Sequence, residues 1–125
     1  MFLNDLYHII SMDSREEERV ITVRLNPEHR IYGAHFPGNP ITPGACLLEM
    51  ARELASVVLD KELLVEKADN VKFLKGIHPG EHPIIVFRLY IKGPEDRAWK
   101  VRTEIMEGDT LMTRMNLCLK ETISA

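Results

Sequence analysis

The sequence predicts an α+β fold in which an antiparallel, curved sheet of five or six strands wraps around one long central helix. The helix is predicted from the run between Ala45 and Leu59, which is nearly all apolar. A run of about fifteen such residues is long enough for a buried helix and too short to span a membrane. The sheet is predicted from several segments in which apolar and polar residues alternate, the pattern of half-buried strands. A helix of this kind needs a sheet to cover its apolar surface.

Length and composition indicate one domain spanning residues 1–125. Hydrophobic residues make up 45% of the chain and charged residues 28%, an ordinary balance for a globular protein. The net charge of −3 argues against general nucleic-acid binding. The N-terminal residues lack the basic segment and the cleavage site of a signal peptide, so we expect a cytoplasmic protein without a membrane partner. Cys46 and Cys118 lie in apolar surroundings and are expected to be small buried residues rather than a disulfide.

One strand is predicted before the helix. The segment 19–25 alternates and places Ile21, Val23 and Leu25 on one face. A charged turn is expected at 13–18. Residues 1–12 are mostly apolar and fit a short helix, a strand, or one followed by the other.

Four more strands are predicted after the helix, around residues 71–73, 85–92, 99–106 and 111–119. The turn between the second and the third of these is expected at 93–96, which contains glycine and proline. The apolar faces of the last two strands must coincide, which requires an odd number of residues between them. A three-residue loop at 107–109 satisfies that condition.

The start of the helix is marked by Thr42, a good N-cap, and by Pro43, which suits the first helical position. Its polar residues fall on one stripe at the helical period: they are Glu49, Arg52, Glu53, Ser56 and Asp60. On the pattern alone, this stripe is the solvated edge of a helix packed on a sheet. Ahead of the helix, His35 precedes a loop whose prolines and glycines fix its path.

The residues from His35 to Ala51, HFPGNPITPGACLLEMA, resemble the HFPG-x-P-x-x-PG-x-x-x-x-E signature of the beta-hydroxyacyl-acyl-carrier-protein dehydratases. The histidine, three prolines, two glycines and the glutamate all keep their spacing. Downstream, ADNVKFLKGIHPGEHPIIV resembles the strand and the P-G-D/E loop that follow the helix in that family. The resemblance covers residues 20–120 and implies the hotdog fold, in which two chains pair edge to edge. It also implies a role in fatty-acid synthesis or a related acyl or polyene pathway.

Dehydration of a 3-hydroxyacyl thioester needs a base for the C2 proton, donors for the charge on the thioester oxygen, and a group that handles the leaving hydroxyl. Imidazole titrates near the working pH, and N–H groups at a helix start are unpaired donors. Glu49 lies within the apolar run 46–50, which suggests an apolar pocket that favours a protonated carboxyl. The resemblance implies that His35 is the base and that the N–H groups of Gly44 and Ala45 hold the carbonyl. It also implies that Glu49 handles the leaving hydroxyl, partly through a water molecule. His35 and Glu49 would come from opposite subunits, and no metal or cofactor is required.

Two residues near the site depart from the family pattern. Ala34 stands where the family has glycine just before the histidine, and Glu53 stands where it has glutamine four residues after the glutamate. A second carboxylate at this spacing would favour the protonated form of Glu49 if both side chains face one pocket. Replacing Glu53 by glutamine is then expected to leave activity intact or to raise it.

The resemblance further implies a partner, an acyl carrier protein with a phosphopantetheine-linked acyl chain, and a homodimer that could assemble into a trimer of dimers. Five cations form either a basic surface for this acidic partner or a set of scattered solvated charges: Lys72, Lys75, Arg97, Lys100 and Arg102. Two other functions stay open, a thioester hydrolase on the same fold and a non-catalytic acyl-binding subunit. For Cys46, a nucleophilic role is a weaker interpretation than that of a small buried residue. For residues 78–82, a metal site is a weaker interpretation than a surface loop.

Overall fold

The sheet that the sequence predicts is present, and it has six strands. The computed structural model describes residues 1–34 and 38–123. All strand pairs are antiparallel, in the order β1-β2-β4-β5-β6-β3. The elements are β1 (Tyr7–Arg15), β2 (Glu18–Leu25), α1 (Arg30–Ala34), α2 (Gly44–Leu59), β3 (Leu63–Phe73), β4 (Ile84–Glu95), β5 (Ala98–Glu107) and β6 (Thr110–Glu121). One long helix with six antiparallel strands confirms the predicted fold class.

The apolar side of α2 packs on the inner face of the sheet, and this contact forms the core. The residues of α2 that are completely buried are Met50, Ala51, Leu54 and Ala55, together with the polar Glu53. The strands contribute alternate residues, as predicted for β2, which buries Ile21, Val23 and Leu25. Each large apolar side chain that is fully buried in this way stabilises the fold by about 1.5–3 kcal/mol.

The predicted N-cap of α2 is wrong by one residue. The helix begins at Gly44, and its N-cap is Pro43, whose extended backbone makes no side-chain cap hydrogen bond. Thr42 is buried instead, with its hydroxyl 2.9 Å from the Tyr32 hydroxyl and its N–H donating to the carbonyl of Ile77. The threonine therefore connects the loop to its neighbours, and no side chain among the described residues caps the start of α2.

The two strands at the edges of the sheet differ most from the sequence prediction. β1 continues to Arg15, so the turn to β2 holds Glu16 and Glu17 alone, and the segment 1–12 is a turn followed by strand. β3 begins at Leu63, well before the strand predicted at 71–73. Most side chains of β3 are exposed, and an exposed edge strand carries no apolar alternation for a sequence pattern to detect.

Both predicted hairpin turns differ from those observed. β4 and β5 are joined by a turn at 96–97 rather than at 93–96. β5 and β6 are joined by the two residues 108–109 and not by a loop at 107–109. A β-bulge next to Ile105 adds one residue to the pairing of the two strands. This extra residue replaces the odd-numbered loop that is expected from the sequence to keep the two apolar faces on the same side. The inward side chains of the two strands therefore still share a face, as predicted.

We expect Leu54→Ala to lower the free energy of unfolding by about 2–5 kcal/mol, because it removes a fully buried side chain and leaves a cavity beneath α2. Val57→Ala, where 38% of the residue is exposed, is the control on the same helix and should change stability by about 0.5 kcal/mol. Urea denaturation followed by circular dichroism measures both changes. Equal losses in the two variants would contradict this assignment of the helix faces.

Candidate active site

The start of α2 presents two backbone donors, as the sequence predicts. The N–H groups of Cys46 and Leu47 donate to the carbonyl of Pro43, at 3.0 and 3.1 Å. Those of Gly44 and Ala45 have no acceptor among the residues that the structure describes. The positive end of the helix dipole lies at the same point. The two groups can therefore bind a carbonyl oxygen that gains negative charge.

His35, the predicted base, lies outside the described residues. The short helix α1 ends at Ala34, directly before it, and is held in place by the buried ring of His29. Nδ1 of His29 accepts the N–H of Ile31 at 3.0 Å, and its Nε2 lies 3.0 Å from Oδ2 of Asp5. The hydrogen bond from the histidine lowers the pKa of the Asp5 carboxyl. The chain that leads to the predicted base is thus tied to the N-terminal segment.

The ring of Phe73 lies directly against Gly44. A Cβ atom added at Gly44 would come within 2.4 Å of Phe73 Cζ, closer than such atoms approach in folded proteins. Phe73 remains 53% exposed, and its ring lies beside the first residue of α2. The sequence pattern predicts the strand of Phe73 but not this contact, which joins the end of β3 to the start of α2.

Glu49 takes part in an ion pair instead of lying in the apolar pocket that the sequence suggests. Arg52, one turn later, donates its Nε–H to Glu49 Oε1 at 2.7 Å, and a terminal guanidinium nitrogen donates to the same oxygen. The other terminal nitrogen donates to the carbonyl of Leu63 at 2.9 Å. The hydrogen bond to Glu49 raises the pKa of Arg52. The expectation of apolar surroundings for Glu49 is therefore wrong, because Arg52 reaches back along the helix.

Glu53, one of the departures from the family pattern, holds the N-terminal segment. It is completely buried, and its carboxylate accepts the N–H groups of Phe2 and Leu3, at 2.7 and 2.9 Å. The Tyr7 hydroxyl donates to it at 2.9 Å. Burial, together with the negative charge of Glu53, raises the pKa of Tyr7 well above its usual range. Both oxygens of Glu53 are thus engaged by residues about 50 positions earlier in the chain.

A cavity of about 570 Å³ runs along the polar stripe of α2. It is lined by all five stripe residues and by four others: Met1, Val57, Lys61 and Glu62. The side chain of Glu49 is 38% exposed there. Gly44 and Ala45 do not line this cavity, so it does not bring the two donors and Glu49 together. Ala45 and Glu49 nevertheless lie four residues apart and share one face of the helix.

The interpretations based on cysteine and histidine gain no support. Cys46 is buried, and burial raises the pKa of its thiol, which opposes the thiolate that a nucleophile needs. Residues 1–34 and 38–123 contain no group of three or more His, Cys, Asp or Glu side chains placed to hold a metal ion. In the same ranges, no helix has the length and apolar character needed to cross a bilayer.

Comparison with known proteins shows the family. The model of the ApeI-like family, described as ApeI dehydratase, matches residues 11–111. The chain belongs to the ApeI-like dehydratases. This membership confirms the dehydratase resemblance that the motif around the start of α2 indicates.

Relatives of this ApeI-like chain include two proteins named 3-hydroxyacyl-[acyl-carrier-protein] dehydratase FabZ. The one from Lactobacillus helveticus is 26% identical over 115 residues, with 82% of this chain and 76% of the relative covered. The one from Lactiplantibacillus plantarum is 28% identical over 117 residues, with 82% and 77% covered. Among solved structures, the dehydratase heterocomplex ApeI:P from Xenorhabdus doucetiae matches with a TM-score of 0.67 and 21% identity, covering 90% of this chain and 96% of that chain. The structural similarity confirms the hotdog fold.

We expect Glu53→Gln to release the N-terminal segment. Glutamine keeps one acceptor oxygen but turns a donor NH₂ group toward N–H groups that the carboxylate now accepts. Leaving a buried donor without an acceptor costs about 1–3 kcal/mol. Hydrogen–deuterium exchange should show the amides of Phe2 and Leu3 losing protection, and urea denaturation should show the loss of stability.

Glu62→Gln is the matched control, because Glu62 is an exposed glutamate that borders the same cavity. It should change neither exchange nor stability. Unchanged protection of Phe2 and Leu3 in Glu53→Gln would contradict the structural role of Glu53. It would instead support the expectation from the sequence that Glu53→Gln leaves activity intact.

Proposed function

We propose that this protein dehydrates 3-hydroxyacyl thioesters on acyl carrier protein to trans-2-enoyl thioesters, in fatty-acid or related acyl synthesis. The observation that carries the proposal is the start of α2, where the family motif meets two N–H donors, with Glu49 on the same helix face as Ala45. Membership of a dehydratase family supports it, as do two relatives named for this reaction.

The proposed reaction is an elimination whose steps are divided among His35, the two N–H donors and Glu49. The imidazole of His35 takes the proton from C2, and the electron pair left behind spreads onto the thioester oxygen. The N–H groups of Gly44 and Ala45 donate to that oxygen and lower the energy of its charge. The C2=C3 double bond forms as the C3–O bond breaks. Glu49 contacts the 3-hydroxyl, which gains the proton that C2 lost and leaves as water.

A second copy of the chain completes the proposed site. β3 is an edge strand of eleven residues with one side unpaired in a single chain, and such an edge favours pairing with another strand. Its exposed apolar residues, with the one that follows it, are Leu64, Phe73 and Leu74. Antiparallel pairing of β3 with its copy gives a symmetric dimer and a continuous sheet. In this dimer, His35 of one chain would meet Glu49 of the other.

The carrier protein is proposed to dock on the outer face of β3, β5 and β6. Adjacent cavities of about 280 and 480 Å³ on this face are lined by five cations and two anions, although the whole chain carries a net charge of −3. The cations are Lys67, Lys72, Lys100, Arg102 and Arg114, and the anions are Asp69 and Glu104. Two of the cations named from the sequence lie elsewhere, Lys75 after β3 and Arg97 in the β4–β5 turn. A basic face of this kind complements an acidic carrier protein.

The test is to incubate the protein with 3-hydroxybutyryl and crotonyl thioesters of acyl carrier protein. Interconversion of the two supports the proposed dehydratase. Release of free carrier thiol would point to a thioester hydrolase instead, and the absence of any reaction would point to a non-catalytic acyl-binding subunit.

We expect His35→Ala and Glu49→Gln each to lower kcat by about 100-fold or more, the usual contribution of a group that moves or orients a reacting proton. Both variants should keep the wild-type melting temperature, because Glu49 is partly exposed and glutamine is nearly isosteric with it. Glu62→Gln, beside the same cavity, should keep wild-type kcat. Near wild-type turnover in either site variant would show that the residue is misassigned.

A further inference from the structure

The ion pair between Glu49 and Arg52 has a fixed geometry. Two guanidinium nitrogens of Arg52 converge on Glu49 Oε1, and the third donates to the carbonyl of Leu63. Arg52 is therefore held by α2 and β3 at once, and its side chain is 19% exposed. Oε2 of Glu49 has no hydrogen-bond partner in the described part of the chain. One oxygen of the carboxylate is thus occupied, and the other remains open to the cavity.

The other charged groups around Glu49 either bind other residues or lie on residues that line the cavity. Glu53 is occupied by hydrogen bonds from the N-terminal segment, and Lys61 lies 3.5 Å from Glu121. The remaining charged groups on residues that border this cavity are the Met1 amino group, Asp60 and Glu62. Among the residues described, Arg52 is therefore the cation that pairs with Glu49.

We infer that Arg52 is a positioning residue that holds Glu49 as a charged acceptor for the substrate hydroxyl. The inference rests on the proposed function. Oε2 accepts the hydrogen bond of the 3-hydroxyl and orients the C3–O bond for cleavage. Both guanidinium hydrogen bonds are donated to Oε1, so Glu49 acts at that oxygen as an acceptor and not as a donor. A carboxylate held in this way does not protonate the leaving group, so that proton comes from His35.

The reaction does not need Glu49 to donate a proton. The imidazole of His35 takes the C2 proton and becomes an imidazolium. The electron pair of the C–H bond forms the C2=C3 double bond, and the C3–O bond breaks with its pair on oxygen. The imidazolium then returns its proton to that oxygen, which leaves as water. Glu49 and Arg52 finish the cycle unchanged, and His35 is again neutral.

Arg52→Met tests whether Arg52 positions Glu49, because it removes the guanidinium and leaves Glu49 in place. If Glu49 is a held acceptor, its carboxylate turns away once the guanidinium is lost, and kcat falls about ten- to 100-fold with little change in KM. If Arg52 does not position Glu49, its loss leaves kcat unchanged. A rise in kcat, or no change, would overturn the inference.

A double variant shows whether Arg52 acts through Glu49. In a Glu49→Gln background, Arg52→Met should add little further loss, because the partner carboxylate is already gone. If the fold losses in kcat of the two single variants multiply in the double variant, the inference is overturned. Arg24→Met, at an exposed position on β2, is the control and should keep wild-type kcat.

Arg52→Lys keeps the charge but not the two-nitrogen contact, so its kcat should lie between those of the wild type and Arg52→Met. If Arg52→Met does not fold, Arg52→Lys takes its place, and wild-type kcat in that variant would overturn the inference. A different result would refute the proposed function. A wild-type protein that converts no hydroxyacyl or enoyl carrier thioester would refute the reaction itself. An active wild type with an equally active Arg52→Met would refute the role of Arg52 alone.

Discussion

The burial of the apolar side of α2 against the sheet is the contact on which the rest of the structure depends. Leu54 and Ala55 are completely buried on that side, and this fixes the rotation of the helix about its axis. The polar stripe must then lie along the cavity, with Glu49 nearest to the start of the helix. The same rotation turns Gly44 toward Phe73, at the end of β3. The packing of the core thereby decides which groups of α2 remain available for chemistry.

Two glutamates one turn apart on α2 have different roles, because they have different partners. Glu49 is bound on one oxygen by Arg52 and keeps the other open, whereas Glu53 is buried and bound on both oxygens by the N-terminal segment. A carboxylate that is fully occupied and inaccessible serves structure, and one that is half occupied and partly exposed can meet a substrate. The glutamate at position 53 is therefore explained by the hydrogen bonds that it accepts from Phe2 and Leu3.

The sequence predicts the parts of this molecule that depend on local pattern. Alternation identifies β2, the apolar run identifies α2, and the motif from His35 to Glu49 identifies the family. The parts that it misses depend on contacts between distant residues. The early start of β3 is hidden because edge residues face solvent, and the burial of Thr42 depends on Tyr32. The partner of Glu53 lies about 50 residues away, and no spacing along the chain indicates it.

We propose that each active site is formed by two chains, with His35 from one and Glu49 from the other. The most direct test is to coexpress His35→Ala and Glu49→Gln chains and to measure dehydration of 3-hydroxybutyryl carrier protein. Random pairing makes half of the dimers mixed, and each mixed dimer holds one intact site, so about a quarter of wild-type activity should return. A mixture that is as inactive as the two separate variants would contradict the shared site and place both groups within one chain.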